Sequence, residues 1–265
     1  MRKDALTLMV VTVTVSIFGF FFRWVQTLNG FEAETGLPVR GAGSTMFVTV
    51  YFLLAALTFA VMAVLYKSRY RLLKTAGALR PATAAPNVLC RIAGVGTALV
   101  CAVLLFTAGD ERYVAMQRLF AGAGLCGGAA MYFVCAGGKK HPAGRYAAPV
   151  LTLFGCVWLV CRYKFNAEDP VVGHFAVEIL ALVFTTLAWY ALSAFYYGRA
   201  KPARAMFTLE LAIFLDIVTL ADGHGILTSV LYALQCAALL CFFFLLVENM
   251  QKKTPEPEEE DGEPS

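Results

Sequence analysis

The stretch that decides the fold is residues 161–224, CRYKFNAEDPVVGHFAVEILALVFTTLAWYALSAFYYGRAKPARAMFTLELAIFLDIVTLADGH. It contains two long apolar segments joined by a short basic linker. A segment of this kind crosses a bilayer as a helix, because the backbone in lipid must satisfy its own hydrogen bonds. Both segments therefore predict membrane-spanning helices. Each also carries ionisable side chains, with His174 and Glu178 in the first and Glu210 and Asp216 in the second.

The composition of the whole chain agrees with this interpretation. Hydrophobic residues make up 59% and charged residues 15% of the 265 residues, and the mean hydropathy is +0.68. A soluble domain carries about 25% charged residues. This deficit of charged residues excludes a water-soluble globular domain. We therefore predict an all-α, multi-pass integral membrane protein whose first partner is the lipid bilayer.

The apolar segments predict eight spans in a single transmembrane domain over residues 1–250, followed by a disordered acidic tail over residues 251–265. Short loops connect the spans into an eight-helix bundle. The tail is acidic because residues 254–265 hold six acids and no base. The predicted spans lie near residues 5–22, 45–66, 88–108, 114–136, 147–163, 171–196, 205–220 and 226–247.

The loops predict an orientation. Basic residues concentrate at residues 2–3, 67–80, 139–145, 199–204 and 252–253, which all fall on one side of the membrane when eight spans are counted. The alternate loops are mixed or acidic. The positive-inside rule then predicts a cell-membrane protein with both termini in the cytoplasm. The same topology accounts for the excess of basic over acidic residues in the loops, so no nucleic-acid partner is needed to explain it.

The sequence predicts no metal, no cofactor and no enzymatic activity. The eight cysteines lie within or at the ends of apolar segments and form no CxxC pair, so we expect them to act as small hydrophobic residues and not as disulfides or metal ligands. The three histidines are scattered, and neither an HExxH motif nor a P-loop is present. An enzyme acting on lipid would need a nucleophile or a metal site, and neither is evident.

Glu178 is the clearest candidate for a proton- or ligand-binding group, because charges inside a membrane are costly and call for a partner or a purpose. His174 lies four residues earlier, on the same helix face. Asp216 lies near the middle of its span. Arg118 and Arg162 lie toward the outer side and are the candidate cationic partners of these acids. The alternative is that each acid only forms a structural hydrogen bond between packed helices.

Three other ionisable features have simpler interpretations. Glu210 is expected at the inner interface or paired with Arg204. Arg23 is expected to extend to the lipid headgroups. The segment from Asp222 to His224 is expected to be a turn and not a ligand pair.

Two functions remain open from the sequence. We favour a transporter or ligand-binding membrane protein with a polar pocket in its outer half, which takes a small polar or anionic ligand. The alternative is a non-catalytic sensory, scaffold or assembly subunit. Such a subunit would bind a cytoplasmic or membrane protein partner through the basic loop at residues 67–80 or the acidic tail.

Overall fold

The computed structural model describes residues 3–32, 37–39, 41–72, 78–79, 84–107, 113–136 and 143–252. Within these ranges the chain is helical apart from loops and one two-residue strand pair, which confirms the all-helical prediction. The helices are α1 (Lys3–Asn29), α2 (Gly43–Arg69), α3 (Ala84–Phe106), α4 (Val114–Ala136), α5 (Ala143–Phe165), α6 (Val172–Tyr196), α7 (Pro202–Val218) and α8 (Ile226–Glu248). A 3-10 helix (Thr219–Asp222) continues α7.

Among the described residues, six helices are long and apolar enough to cross a membrane, namely α1, α2, α3, α5, α6 and α8. They indicate a membrane protein. The prediction of eight spans is supported only in part, since α4 and α7 are not among these six. For α7 the reason is length, because the α-helix itself has 17 residues.

Successive helices run in opposite directions, so the bundle has two distinct ends. At the first, β1 (Tyr70–Arg71) pairs antiparallel with β2 (Gln251–Lys252), directly after α2 and α8. We call this the β end. At the other, the 3-10 helix lies beside the C-terminal part of α1 and the N-terminal part of α6. We call this the turn end.

Helix α7 occupies the centre of the bundle. It packs against α1, α2, α6 and α8, and 12 of its 17 residues are buried. By contrast, α1 and α2 present most of their apolar side chains outward, as membrane-facing helices do. The two acids of α7 are therefore enclosed by protein on several sides.

Helices α3 and α4 approach each other closely where glycines meet. A Cβ atom added at Gly128 would lie 2.6 Å from both the Gly94 carbonyl oxygen and the Ala98 amide nitrogen. The sequence predicts close approach at Gly124-x-x-x-Gly128 because small residues let helix backbones touch. The structure shows that the helix approaching these glycines is α3.

Two expectations require correction. Gln251 and Lys252 belong to β2 and so to the fold, although the sequence assigns them to the disordered tail; the rest of that tail, residues 253–265, lies outside the described residues. Cys90 is bonded in a disulfide, contrary to the expectation that no cysteine forms one. Six cysteines (101, 126, 156, 161, 236 and 241) are free.

Candidate functional site: a polar network at the turn end

The side chain of Glu178 is the centre of a polar network inside the bundle. It is 1% exposed and lies about two turns into α6. Arg162 at the end of α5 donates from Nε to Oε1 at 2.6 Å, and Tyr232 of α8 donates its hydroxyl to the same oxygen at 3.1 Å. Asn166, just beyond α5, donates to Oε2 at 3.1 Å. The end of α5 and the helix α8 therefore orient one carboxylate, and Arg162 neutralises its charge.

His224 connects this carboxylate to the turn after α7. Its Nδ1 lies 3.8 Å from Oε1 of Glu178, and its Nε2 lies 3.0 Å from the hydroxyl oxygen of Thr219. Its ring also lies beside that of Tyr232, with the centroids 5.5 Å apart. Burial lowers the pKa of His224, and the Glu178 carboxylate acts in the opposite direction. His224 thus lies between the Glu178 carboxylate and the Thr219 hydroxyl.

A second buried ion pair joins α1 to the same turn. Nε of Arg23 lies 2.5 Å from Oδ1 of Asp222, and the two side chains are 3% and 2% exposed. Arg23 also donates to Oε1 of Gln26 at 2.8 Å and to the carbonyl oxygen of Gly173 at 3.0 Å. Burial raises the pKa of Asp222, and the Arg23 guanidinium opposes that rise. Thr219 donates to Oδ2 at 3.1 Å and so connects this pair to His224.

The His174 side chain lies at the margin of the network and makes no described hydrogen bond to Glu178. Its Nδ1 lies 2.9 Å from Oδ2 of Asp169, and its ring lies 4.6 Å from that of Phe31. The Val171 amide, and then His174, hold the pKa of Asp169 below its ordinary value. The two side chains are 36% and 35% exposed, so they form a surface pair.

Asp216 lies deeper, where α7 meets α6 and α8. The side chain is 0% exposed, and Thr185 donates its hydroxyl to Oδ1 at 2.8 Å. The other oxygen, Oδ2, has no hydrogen-bond partner among the described residues. Tyr232, which donates its hydroxyl to Glu178, lies on α8, and α7 packs against this helix. The network at the turn end and the acid in the core are therefore carried by neighbouring helices.

Two further buried polar groups line the core away from the turn end. Glu210 is 0% exposed, and neither of its carboxyl oxygens has a partner among the described residues. The expectation that it reaches the interface or pairs with Arg204 is wrong, because α7 lies inside the bundle. Gln235 accepts a hydrogen bond from Trp189 at 3.1 Å, and its amide nitrogen is left without a described partner.

The structure brings only some of the predicted residues together. Arg162 and Glu178 form a direct ion pair, whereas Asp216 is bonded to Thr185 and has no described contact with either of them. Arg118 is exposed on the outside of α4 and makes no hydrogen bond or ion pair with a described residue. It is therefore not the partner of either acid. His174 lies near the network without joining it.

Sequence reasoning missed most of the supporting residues. The sequence predicts a headgroup contact for Arg23 and a simple turn at Asp222, yet the two form a buried pair. One signal could have found them: Arg23 is a base on the side whose loops carry the acids, and so departs from the charge bias. Tyr232 and Asn166 had no comparable signal, since apolar segments and turns routinely contain both residue types.

An open cleft of about 300 Å³ lies beside the network. Arg162 is the charged residue of its lining, together with Gln117, Tyr113 and Trp158. In the part of the chain that the structure describes, no group of three or more histidine, cysteine or acidic residues is arranged to hold a metal ion.

Comparisons with protein-family models, with curated proteins and with solved structures find no match to this chain.

Proposed function

We propose that this chain is a proton-linked membrane transporter in which Asp216 binds and releases the proton. The observation that carries the proposal is that Asp216 is fully buried with one carboxyl oxygen left without a described partner. An ionised carboxylate without a cation costs several kcal/mol or more in such a place. The acid therefore favours the protonated form unless a neighbouring group or a bound ion offsets its charge.

A chain of polar groups supports proton access from the turn end. Tyr232 donates to Oε1 of Glu178 at 3.1 Å, and Nδ1 of His224 lies 3.8 Å from the same oxygen. Tyr232 belongs to α8, which packs against the α7 helix that carries Asp216. Proton relays in membrane proteins are built from such series of acidic, histidine and hydroxyl groups.

The central position of α7 supports coupling between the proton and the bundle. Asp216 is held to α6 by its bond from Thr185. Ionisation of the acid would change the packing of α7 against its neighbours, because a charge at that place must find a new partner. A small polar or anionic ligand would enter by the cleft beside Arg162, whose guanidinium supplies the positive charge.

The test is proton flux into proteoliposomes that contain a trapped pH-sensitive dye and carry a potassium diffusion potential. We expect the wild-type protein to acidify the interior. Asp216→Asn keeps the size and the bond from Thr185 but cannot release a proton, so the rate should fall to that of protein-free vesicles. Infrared difference spectra should also lose a carboxyl band in this variant.

Asp169→Asn is the matched control, because it removes an acid that is a third exposed and belongs to the surface pair with His174. It should leave the flux unchanged. Wild-type flux no greater than that of empty vesicles would contradict the proposal. So would full flux through Asp216→Asn.

A second function is favoured by a different observation. The pairs Arg162–Glu178 and Arg23–Asp222 are closed, and the acids in them are 1% and 2% exposed. Pairs of this kind fix helix positions, as expected in a sensory or scaffold subunit that acts through partners. Such a subunit would conduct no protons, either as the wild type or as the Asp216→Asn variant.

A further inference from the structure

A large groove lies at the β end, between α5, α6 and the start of α7. Its volume is about 850 Å³. None of its described lining residues belongs to the network above, and none of them is acidic. A ligand in this groove therefore has no direct contact with Asp216, which is absent from the lining.

Four cations stand around this groove. They share two properties: each is exposed, and none forms an ion pair with a described residue. These cations are Arg145, Arg199, Lys201 and Arg204. Four positive charges without neighbouring acids create a strongly favourable potential for a phosphate group.

A specific contact at the groove joins α5 to the residue that follows α6. Pro149 has no amide hydrogen, so the carbonyl oxygen of Arg145 loses its helical partner. The hydroxyl of Tyr197 donates to this oxygen at 2.9 Å. The guanidinium of Arg145 in turn lies over the Tyr197 ring, 5.1 Å from its centroid. This arrangement fixes one cation at the edge of the groove.

The flank of the groove is apolar and faces outward. Leu153, Leu187 and Tyr190 are 64%, 41% and 61% exposed. They lie on α5 and α6, which are both long and apolar enough to cross a membrane. Exposed apolar residues on such helices contact lipid chains. A ligand that fits the whole groove therefore has a phosphate at one end and a hydrocarbon chain at the other.

We propose that this groove is a binding site for an anionic phospholipid. The headgroup phosphate contacts the four cations, and an acyl chain lies along Leu153, Leu187 and Tyr190. Basic recesses between membrane helices bind anionic lipids in this way. A free phosphate or another soluble anion would leave the apolar flank without a role.

The experiment is native mass spectrometry of the purified full chain, titrated with phosphatidylglycerol and, separately, with phosphatidylcholine. We expect clear preference for phosphatidylglycerol. Arg199→Gln with Arg204→Gln should weaken its binding by roughly 30-fold, which is ~2 kcal/mol at 1.4 kcal/mol per factor of ten. Both side chains are exposed, so the fold should persist, and thermal unfolding checks this.

The matched control is Lys67→Gln with Arg69→Gln, which removes two exposed cations of α2 at the same end but outside the groove. It should change the affinity by less than about threefold, an effect of long-range charge alone. An equal loss of phosphatidylglycerol affinity in both double variants would overturn the proposal, because general surface charge would then explain the binding. Equal binding of phosphatidylcholine would overturn it too. Displacement of the lipid by inorganic phosphate would assign the groove to a soluble anion instead.

Discussion

Glu178 shows how this bundle keeps a charge in its interior. Its carboxylate accepts from Arg162, Asn166 and Tyr232, so both oxygens are satisfied. The desolvation of such a pair often cancels its Coulomb attraction, and the net gain in stability is small. The main effect of these contacts is to fix the relative positions of α5, α6 and α8.

His224 leads to a prediction about pH. Burial lowers its pKa from the ordinary value of 6.5. Between that lowered value and 6.5 the unfolded chain binds more protons than the folded one, so the free energy of unfolding rises with pH. We expect thermal stability to be at its full value above pH 6.5 and to fall as the pH drops through the folded-state pKa. His224→Gln should flatten this slope, measured as Tm against pH in detergent.

Ser229→Ala serves as the control for that experiment. It removes only the 3.4 Å bond from the serine hydroxyl to the His224 carbonyl oxygen, and leaves the imidazole in place with its neighbours Glu178, Arg162, Asp222 and Arg23. The slope should therefore remain. Should His224→Gln keep the wild-type slope, another group controls the acid response.

At the residue scale, the sequence could identify acids but could not assign their partners. Glu178, Asp216 and Glu210 are evident because each interrupts an apolar segment. Which cation meets which acid depends on the angular position of each helix, and a single span does not determine that. Arg118 and Arg162 have similar predicted depth, yet only Arg162 points inward.

At the scale of secondary-structure elements, α4 shows that an apolar segment can determine both ends of a helix. Its predicted range, 114–136, is the observed range. Other ends shift because hydropathy records where the chain is apolar, whereas a helix continues wherever its hydrogen bonds do. Thus α5 begins at Ala143, four residues before its apolar segment. Likewise α7 begins at Pro202, since proline fits the first turn of a helix.

The contact between α3 and α4 predicts that replacing a glycine of α4 by alanine lowers the free energy of unfolding at some positions and not at others. Gly128→Ala would place Cβ 2.6 Å from backbone atoms of Gly94 and Ala98, which cannot rotate away. We expect a loss of about 1–3 kcal/mol in the free energy of unfolding. At Gly122, on the same helix, an added Cβ atom would meet nothing within 4 Å. Gly122→Ala should therefore be neutral or slightly stabilising.

Reversible unfolding in mixed micelles would measure both glycine variants. The difference between them is the informative quantity, because helix propensity affects both equally. Equal stability of the two variants would show that α3 and α4 do not approach at Gly128.

At the scale of the whole molecule, the fold separates two chemical surfaces along one axis. The turn end holds closed ion pairs around Glu178 and Asp222, whereas the β end holds the exposed cations of the groove. Helix α7 connects them, with Lys201 and Arg204 at one end and the 3-10 turn at the other. From this asymmetry the positive-inside rule predicts a direction in the membrane, with the β end expected in the cytoplasm.

That direction is testable with one cysteine at each end. Val39 is 38% exposed and lies beside the end of α1 through its bond to the Gly30 carbonyl, and Lys201 is exposed at the β end. In a background with the exposed Cys126 and Cys156 replaced by serine, Val39→Cys should react with a membrane-impermeant maleimide on intact cells. Lys201→Cys should react only after permeabilisation. The reverse pattern would place the basic groove outside the cell, where it could not meet anionic lipids of the inner leaflet, and would place the network around Glu178 on the cytoplasmic side.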